Sequence, residues 1–488
     1  MERTGNEGGS RGLGWKRYPY VPSWGDPQWF TFPACDGDER ELGVQTYFVD
    51  GFLRGRRTGT EYAFMTVFTD ARVMGRTARF SFFSLALFDC DRRHYGTFTD
   101  FDFTRPEPGG APPRMKTAPR HLELRYAAPG DASSWVNAKA PDGSLRPFAW
   151  ALALHGVDHH GAPMALELEV DALRPPAPLG GPALGGEMMF LGEERTWSYF
   201  QSGLRMRGRL RWGDVTEEVE GEVGWIDRQW AGEDFAKHQD AESSRYRNEW
   251  RVVQLDNGWD MSCFHQYLRP ERNAVVPWTG VSAQGPGPDF ELRATHRVEI
   301  IVPEFIRSPG VVRAPMMLTD GPRYFPHRYR MLVPEWDLDL TGEPLVETPA
   351  HRFPIEWWTG PVRITGRMFG RPVAGLGFDE RSCPRIRGFE LAEALKLSFE
   401  HAFEPSDDSG RLLAYRAWEV EALALRGDPG AAATHLERHV LPLLGAVPEA
   451  SRSRLRELAT DLHSVLKAGE ASSAAAGADS LSSDRGSS

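Results

Sequence analysis

At 488 residues the chain is long enough for two or three domains with sizeable cores. A formal charge of −11 excludes a general nucleic-acid binder, which needs a basic face. The four cysteines, Cys35, Cys90, Cys263 and Cys383, lie far apart with no C-x-x-C pair. That spacing fits a reducing, cytoplasmic setting and supports neither a disulfide framework nor a zinc site.

Residues 1–14 are Gly-rich, polar and without an apolar run, which predicts a disordered start and shows no secretory leader. From about Gly43 onward, short apolar and aromatic runs are punctuated by Gly, Pro and Asp. They predict strands over 61–68, 79–89, 121–126, 147–154, 165–170, 197–201, 204–212 and 217–225. A second series covers 248–255, 259–268, 294–302 and 328–333 and ends in a hairpin over 361–378. The Pro/Gly-rich segment 174–186 reads as a long loop, whereas the charged stretch 232–247 separates the two series. The expected division is a β domain over 15–235 and a second over 245–387. Turn signals every ~8–12 residues indicate barrels or sandwiches.

After about Gly388 the period changes. Leu436, Val440 and Leu443–Leu444, and then Leu455, Leu458, Leu462 and Val465–Leu466, fall at helical spacing. About four helices are expected over 388–468, followed by a disordered Ala/Ser/Gly/Asp tail over 469–488 with nothing to bury. No stretch approaches the ~20 apolar residues a spanning helix requires, and peripheral membrane contact stays open. Sixteen tryptophans and 27 phenylalanines point to large sheet cores or an aromatic-lined cavity.

Four segments carry a family likeness. The hairpin FPIEWWTGPVRITGRMFGRPVAGLGFDE (353–380) contains G-x-P-V-x-G-x-G-aromatic-x-E, with Gly370 at the turn and Glu380 at the end. WSYFQSGLRMRGRL (197–210) is an aromatic-rich strand leading into a glycine-centred one. GEVGWIDRQW (221–230) holds W-x-D-x-x-W, and EWRVVQLDNGWDMSCFHQYLR (249–269) reads as the next hairpin. In order and spacing these resemble the carotenoid 1,2-hydratase (hydroxyneurosporene synthase) family of lipocalin-like proteins over roughly residues 40–380. The resemblance implies a mainly β fold, with two consecutive lipocalin-like antiparallel β-barrel or sandwich domains, here followed by a helical extension. It also implies a hydro-lyase-type enzyme adding water to an alkene of a hydrophobic isoprenoid- or polyketide-like molecule. Arg228 stands where the family motif D-H-x-W has histidine, and His265, Gln266 and Tyr267 stand near its Tyr-x-Asp arrangement.

Alkene hydration needs a strong proton donor, a dry pocket and stabilisation of the resulting cation. A carboxyl group buried among aromatics stays protonated, and aromatic faces attract the cation. Asp227 between Trp225 and Trp230 fits that role. The three are expected where the two β domains meet, with Trp225 and Asp227 on one strand face. The alternative is a buried Asp227–Arg228 ion pair, although neighbours on a strand point to opposite faces. Glu380 is either a second acid or a partner of Arg363, Arg367 or Arg371. His265, alternating with Cys263 and Tyr267, is either a catalytic group or a hydrogen-bonded core residue. The candidate catalytic set is Asp227, Trp230, His265, Tyr267 and Glu380. Trp225, Arg228, Gln266, Trp197 and Tyr199 are the candidate substrate contacts.

Asp158-His159-His160-Gly161 reads as a solvated turn rather than a metal pair, and Asp36-Gly37-Asp38-Glu39 lacks the ligand order of a calcium loop. No nucleotide or nucleophile motif is present, so neither a cofactor nor a metal is expected. The expected partner is a hydrophobic small molecule. Pericyclic cyclisation in a shaped pocket and non-enzymatic carriage of a lipid-like ligand remain alternatives to hydration. The sequence does not fix the oligomeric state.

Overall fold

In the computed structural model, residues 44–382 form two curled antiparallel sheets, and helices follow from Arg387. The structure describes residues 14–38, 42–73, 77–105, 112–128, 130–190, 194–232, 246–268, 279–307, 324–347, 350–352, 356–382, 387–403 and 407–483. At 265–268 it describes the backbone alone. Most of the expected linker 232–247, Cys383 and the first thirteen residues therefore lie outside the described residues.

The first sheet is organised by Val44–Gly55, which pairs with Glu61–Val73 along one edge and with Gly224–Ala231 along the other. Its last two paired residues, Arg54 and Gly55, switch partner to Val215–Gly221, and this hand-over lets the sheet curl on itself. The expected strand over 217–225 is thus two strands, broken between Gly221 and Gly224. The stretch 294–302 likewise divides between Leu292–Thr295 and Glu299–Arg307.

In the second sheet Tyr246–Leu255 lies between Asp260–Leu268 and Arg371–Ser382. The hairpin of Glu356–Met368 and Arg371–Ser382 turns through Phe369 and Gly370, both with positive φ (52° and 74°), as a two-residue primed turn requires. A Cβ at Gly375 or Gly377 would run into the carbonyl oxygens of Gln254 and Val252. The glycines of the hairpin motif therefore serve close strand approach, not chemistry.

The leucine periodicity gives helices Arg387–Ala402, Asp408–Leu425, Pro429–His439 and Glu449–Ser483. Asp407 caps the second by accepting from Ser409 N, and Asp428 caps the third from Ala431 N ahead of Pro429. The last helix runs on to Ser483, so most of the tail expected to be disordered over 469–488 is helical. No described helix is long and apolar enough to cross a membrane.

Three apolar clusters result. In the first sheet's interior, Trp15, Phe30 and Phe32 of the N-terminal segment pack against sheet residues such as Trp150, Leu166 and Trp230, with Trp29 stacked on Trp197 at 3.6 Å. The second sheet's interior is closed by the helices, with Leu391, Leu395, Phe399 and Leu462 joining Met261, Tyr329 and Ile364. Each such fully buried side chain contributes roughly 1.5–3 kcal/mol. The third cluster lies between the sheets and joins Phe48, Phe52, Phe200 and Trp225 to Trp250, Phe264 and Phe378.

The segment 174–186 is not a plain loop. It forms the short strand Ala177–Pro178 and the one-turn helix Gly181–Leu184, and it straps the sheets together. Gly180 N donates to Ser282 Oγ at 2.9 Å, and Gln284 Nε2 donates to Pro175 O at 3.1 Å. Asp158 does close a turn, but it is buried rather than solvated and accepts from Trp212 Nε1 at 2.9 Å. Among the described residues no three His, Cys, Asp or Glu side chains gather as a metal-ligand set.

Candidate functional site

The strand Gly224–Ala231 divides the W-x-D-x-x-W motif between two environments. Period-2 alternation sends Ile226, Arg228 and Trp230 into the first sheet's interior, and Trp225 and Asp227 toward the second sheet. Trp230 therefore does not lie where the sheets meet, contrary to the expectation. It packs against Phe30 at 5.3 Å and Tyr199 at 6.3 Å, inside the first sheet.

Arg228 occupies the same interior. Its guanidinium stacks on Tyr47 at 3.7 Å, and Nη2 donates to Gln45 Oε1 at 2.6 Å. Nη1 donates to Gln229 O at 2.8 Å. The Asp227–Arg228 ion pair is thus absent, because the two side chains leave the strand on opposite faces. Arg228 has instead the distant company of Asp36, a 3%-exposed carboxyl that accepts from Tyr199 Oη at 2.7 Å. Burial pushes Asp36 up to about 6, against the lowering pull of that hydrogen bond and of Arg228. Trp197 stacks on Trp29 in this filled space. Trp197, Tyr199 and Trp230 accordingly pack against the chain's own N-terminal segment, and Arg228 against Tyr47 and Gln45.

The opposite face differs. Asp227 lies opposite Phe48 on one neighbouring strand and Phe200 on the other, while Trp225 lies opposite Asp50 and Ser202. Asp227 and Asp50 are 4% and 2% exposed. Around them stand Phe48, Met65, Val67, Phe200 and Trp225, with Phe200 and Trp225 stacked at 4.6 Å. Among the described residues, neither oxygen of Asp227 has a hydrogen-bond partner, nor do Asp50 Oδ2, Ser198 Oγ, Ser202 Oγ or Trp225 Nε1. Burial pushes Asp227 up to about 7, and Gln229, Ser198 and Arg228 offset this in part without a hydrogen bond of ordinary geometry. Asp50 is raised well above the usual carboxylate range by burial and by the charge of Asp227. Among the described residues, unpartnered polar atoms occur in both sheet interiors as well, Trp197 Nε1, Arg251 Nε and Asp379 Oδ1 among them, but here both oxygens of one carboxyl group lack a partner.

A cleft of about 600 Å³ opens at the edge of this interface, walled by Leu173, Gly203, Val223, Leu376 and the Arg174–Asp260 pair, among others. Val223 and Leu376 also pack on the interface cluster, and Gly203 follows Ser202, the strand neighbour of Trp225. Trp225, Asp227 and Asp50 do not themselves line the cleft. Asp260 is pushed up to about 6 by burial, with Arg174 at 3.0 Å pulling the other way.

On the second sheet Glu380 lies opposite Trp250 and Thr359, half-buried, on the face turned to the first sheet. Arg363 and Arg367 pair with Glu61 (3.6 Å) and Asp337 (3.2 Å). The side chains of His265, Gln266 and Tyr267 lie outside the described residues. The strand face that Cys263 shares looks into the second interior, where Arg251 pairs with Glu249 at 3.0 Å and approaches Asp379 at 3.9 Å. Arg381 reaches Glu393 of the first helix at 3.2 Å.

Sequence reasoning missed Asp50, Asp260 and Asp36. For Asp50 a signal existed: a lone carboxylate inside the run Tyr47-Phe48-Val49-Asp50-Gly51-Phe52. An acid in the middle of a strand that is apolar on both faces has no solvent to meet.

The sequence matches no protein-family model and no curated protein. Among solved structures, an AttH-type protein from Nitrosomonas europaea superposes with a TM-score of 0.53 at 17% identity, over 75% of this chain and 98% of that one. Kievitone hydratase from Nectria haematococca gives 0.50 at 13% identity, over 75% and 98%. CghA with Sch210972 gives 0.39 at 11% identity over 70% and 88%, too distant to carry an argument. The chain shares the lipocalin-like fold of the first two, with helices added at its C-terminal end.

Proposed function

We propose that the protein is a hydratase-type enzyme that adds water to an alkene of a hydrophobic isoprenoid- or polyketide-like molecule held between the two sheets. The observation that carries this reading is the cluster of orphaned, buried polar atoms around Asp227. A carboxyl group there retains its proton near neutral pH because desolvation disfavours the anion. Two further observations support the location. Among the described residues, the N-terminal segment packs into the first sheet's interior and the helices close the second, while a cleft of about 600 Å³ opens at the edge of the interface. The fold is that of kievitone hydratase, whose name carries the same reaction class.

In the proposed reaction Asp227 donates its proton to one alkene carbon, and the faces of Trp225, Phe200 and Phe48 attract the carbocation, at ~0.5–2 kcal/mol per ring. Water then closes the C–O bond. Glu380 and Trp225 border the same face and serve as substrate contacts. The experiment is incubation with a panel of linear polyenes, prenylated phenols and polyketide-like alkenes in H₂¹⁸O. A labelled product heavier by one water, lost in Asp227→Asn, is the expected result. A product of unchanged mass would mean cyclisation, and saturable binding without product would mean carriage. Either result would overturn hydration.

A further inference from the structure

The carboxyl groups of Asp50 and Asp227 are diagonal neighbours on adjacent antiparallel strands. Phe48 is paired with Asp227, and Asp50 with Trp225, so all four side chains leave the same face. Diagonal positions of this kind lie about 7–8 Å apart at the backbone, near enough for the charge of Asp227 to act on Asp50. Both are almost wholly buried, and Asp227 Oδ1, Asp227 Oδ2 and Asp50 Oδ2 have no hydrogen-bond partner among the described residues.

The charged groups packed around this pair have other partners or directions. Arg228 lies behind the strand and is bound to Gln45 and Tyr47. Arg251 points into the second sheet's interior, where Glu249 holds it. From the second sheet, Glu380 borders the face, and Asp260 stands at the cleft, tied to Arg174. The pair thus shares an apolar space with carboxyl groups at its rim and no cation, among the described residues, on its own face. Two anions that close in a medium of low dielectric do not both persist, and one proton stays.

We propose that Asp50 and Asp227 act as a shared-proton carboxyl pair in which Asp227 delivers the proton and Asp50 takes up the one that water loses. The catalytic half rests on the hydratase reading above. The balance closes within the pair. The alkene π electrons form the new C–H bond with the Asp227 proton, and a water lone pair forms the C–O bond. The proton released from that oxygen goes to Asp50. The pair ends with one proton, on Asp50, which holds it the more tightly, and passage of that proton to Asp227 restores the arrangement that reacts.

The test needs no substrate. In protein carrying ¹³Cγ-labelled aspartate, the two carboxyl carbons are followed by NMR from pH 4 to 10 in the wild type, Asp50→Asn and Asp227→Asn. Asp227→Asn should lower the midpoint of Asp50 by about one pH unit or more, whereas Asp50→Asn should move Asp227 much less, because Asp227 ionises first, beside a partner that is still neutral. The Asp36 and Asp379 signals should stay in place and report that the variants are folded. Midpoints that ignore the partner overturn the pair. If Asp50→Asn destabilises the fold, Asp50→Ser supplies the same readout. Once a substrate is known, Asp50→Asn should remove one limb of a bell-shaped rate profile. Coupled titration without turnover would refute the hydratase reading alone. Independent titration with an Asp227-dependent turnover would refute the pair alone.

Discussion

Buried charge is treated in opposite ways inside the second sheet and between the two sheets. In the interior, Glu249, Arg251, Asp379, Arg381 and Glu393 alternate in sign, and ion pairs of 3.0 to 3.9 Å link them into one network. Phe305 and Tyr329 pack the guanidinium faces. At the interface, Asp50 and Asp227 have neither a cation nor an aligned hydrogen-bond donor among the described residues, although their burial is as complete. The first arrangement sets opposite charges against desolvation and reads as structure, anchoring the first helix to the sheet, although burial still pushes Asp379 up to about 7 and Glu393 to about 8. The second leaves its desolvation uncompensated, which is how a fold keeps a carboxyl group acidic for use.

The sharpest break between the two regions is expected from Asp227→Asn. Turnover of a hydrated substrate should fall by about 10²–10⁴-fold, the usual worth of a general acid, while the melting temperature holds or rises. Loss of fold together with activity would place Asp227 with the structural charges.

On the other side of the comparison, Arg381→Ala should cost about 3–5 kcal/mol in urea unfolding, because it takes from buried Glu393 its ion-pair partner at 3.2 Å and leaves Glu249 with Arg251 alone of the two arginines. A cost below about 1 kcal/mol would reduce the network to the level of surface pairs. Trp230→Ala should cost a similar ~3–5 kcal/mol through the cavity it opens beside Phe30 and Tyr199, and should change substrate affinity little.

The pH dependence of stability joins the two regions. Asp227 and Asp379 are pushed up to about 7 and Glu393 to about 8, burial being the first cause in each. The folded state therefore binds protons that the unfolded chain has already released above its ordinary carboxylate range. Stability is greatest below about pH 4, as far as these groups go, and declines as pH rises to about 8. A tenfold difference in proton affinity between the folded and unfolded chain corresponds to about 1.4 kcal/mol. A thermal-unfolding series over that window should show the decline, and Asp227→Asn should remove part of it. The smallest effect is expected at Trp418, half exposed on the helix Asp408–Leu425, where alanine should change stability by no more than about 0.5 kcal/mol.

The two-sheet fold was legible because buried strands and the terminal helices differ in period, and the hairpin at Gly370 announced its own turn. The shared face of Trp225 and Asp227 followed from spacing by two. The same rule excludes Trp230, three positions on, from that face, and the tryptophan's nearness in sequence hid this. Residues 14–38 gave no periodic signal, so their filling of the first interior was invisible. So was the tie of Asp36 to Tyr199, which is set by that filling. Asp50 was readable as an anomaly, but its partner was not, because the pairing of Val44–Gly55 with Gly224–Ala231 joins residues far apart in sequence.

The stacked indoles of Trp29 and Trp197, 3.6 Å apart with an 18° tilt, have an optical consequence. Two chromophores so placed couple as an exciton pair and give a circular-dichroism couplet of their own. Trp29 belongs to the N-terminal segment and Trp197 to the sheet, so the couplet exists only while that segment is seated. Its loss before the global transition would mark release of the segment as a separate event, readable without any label.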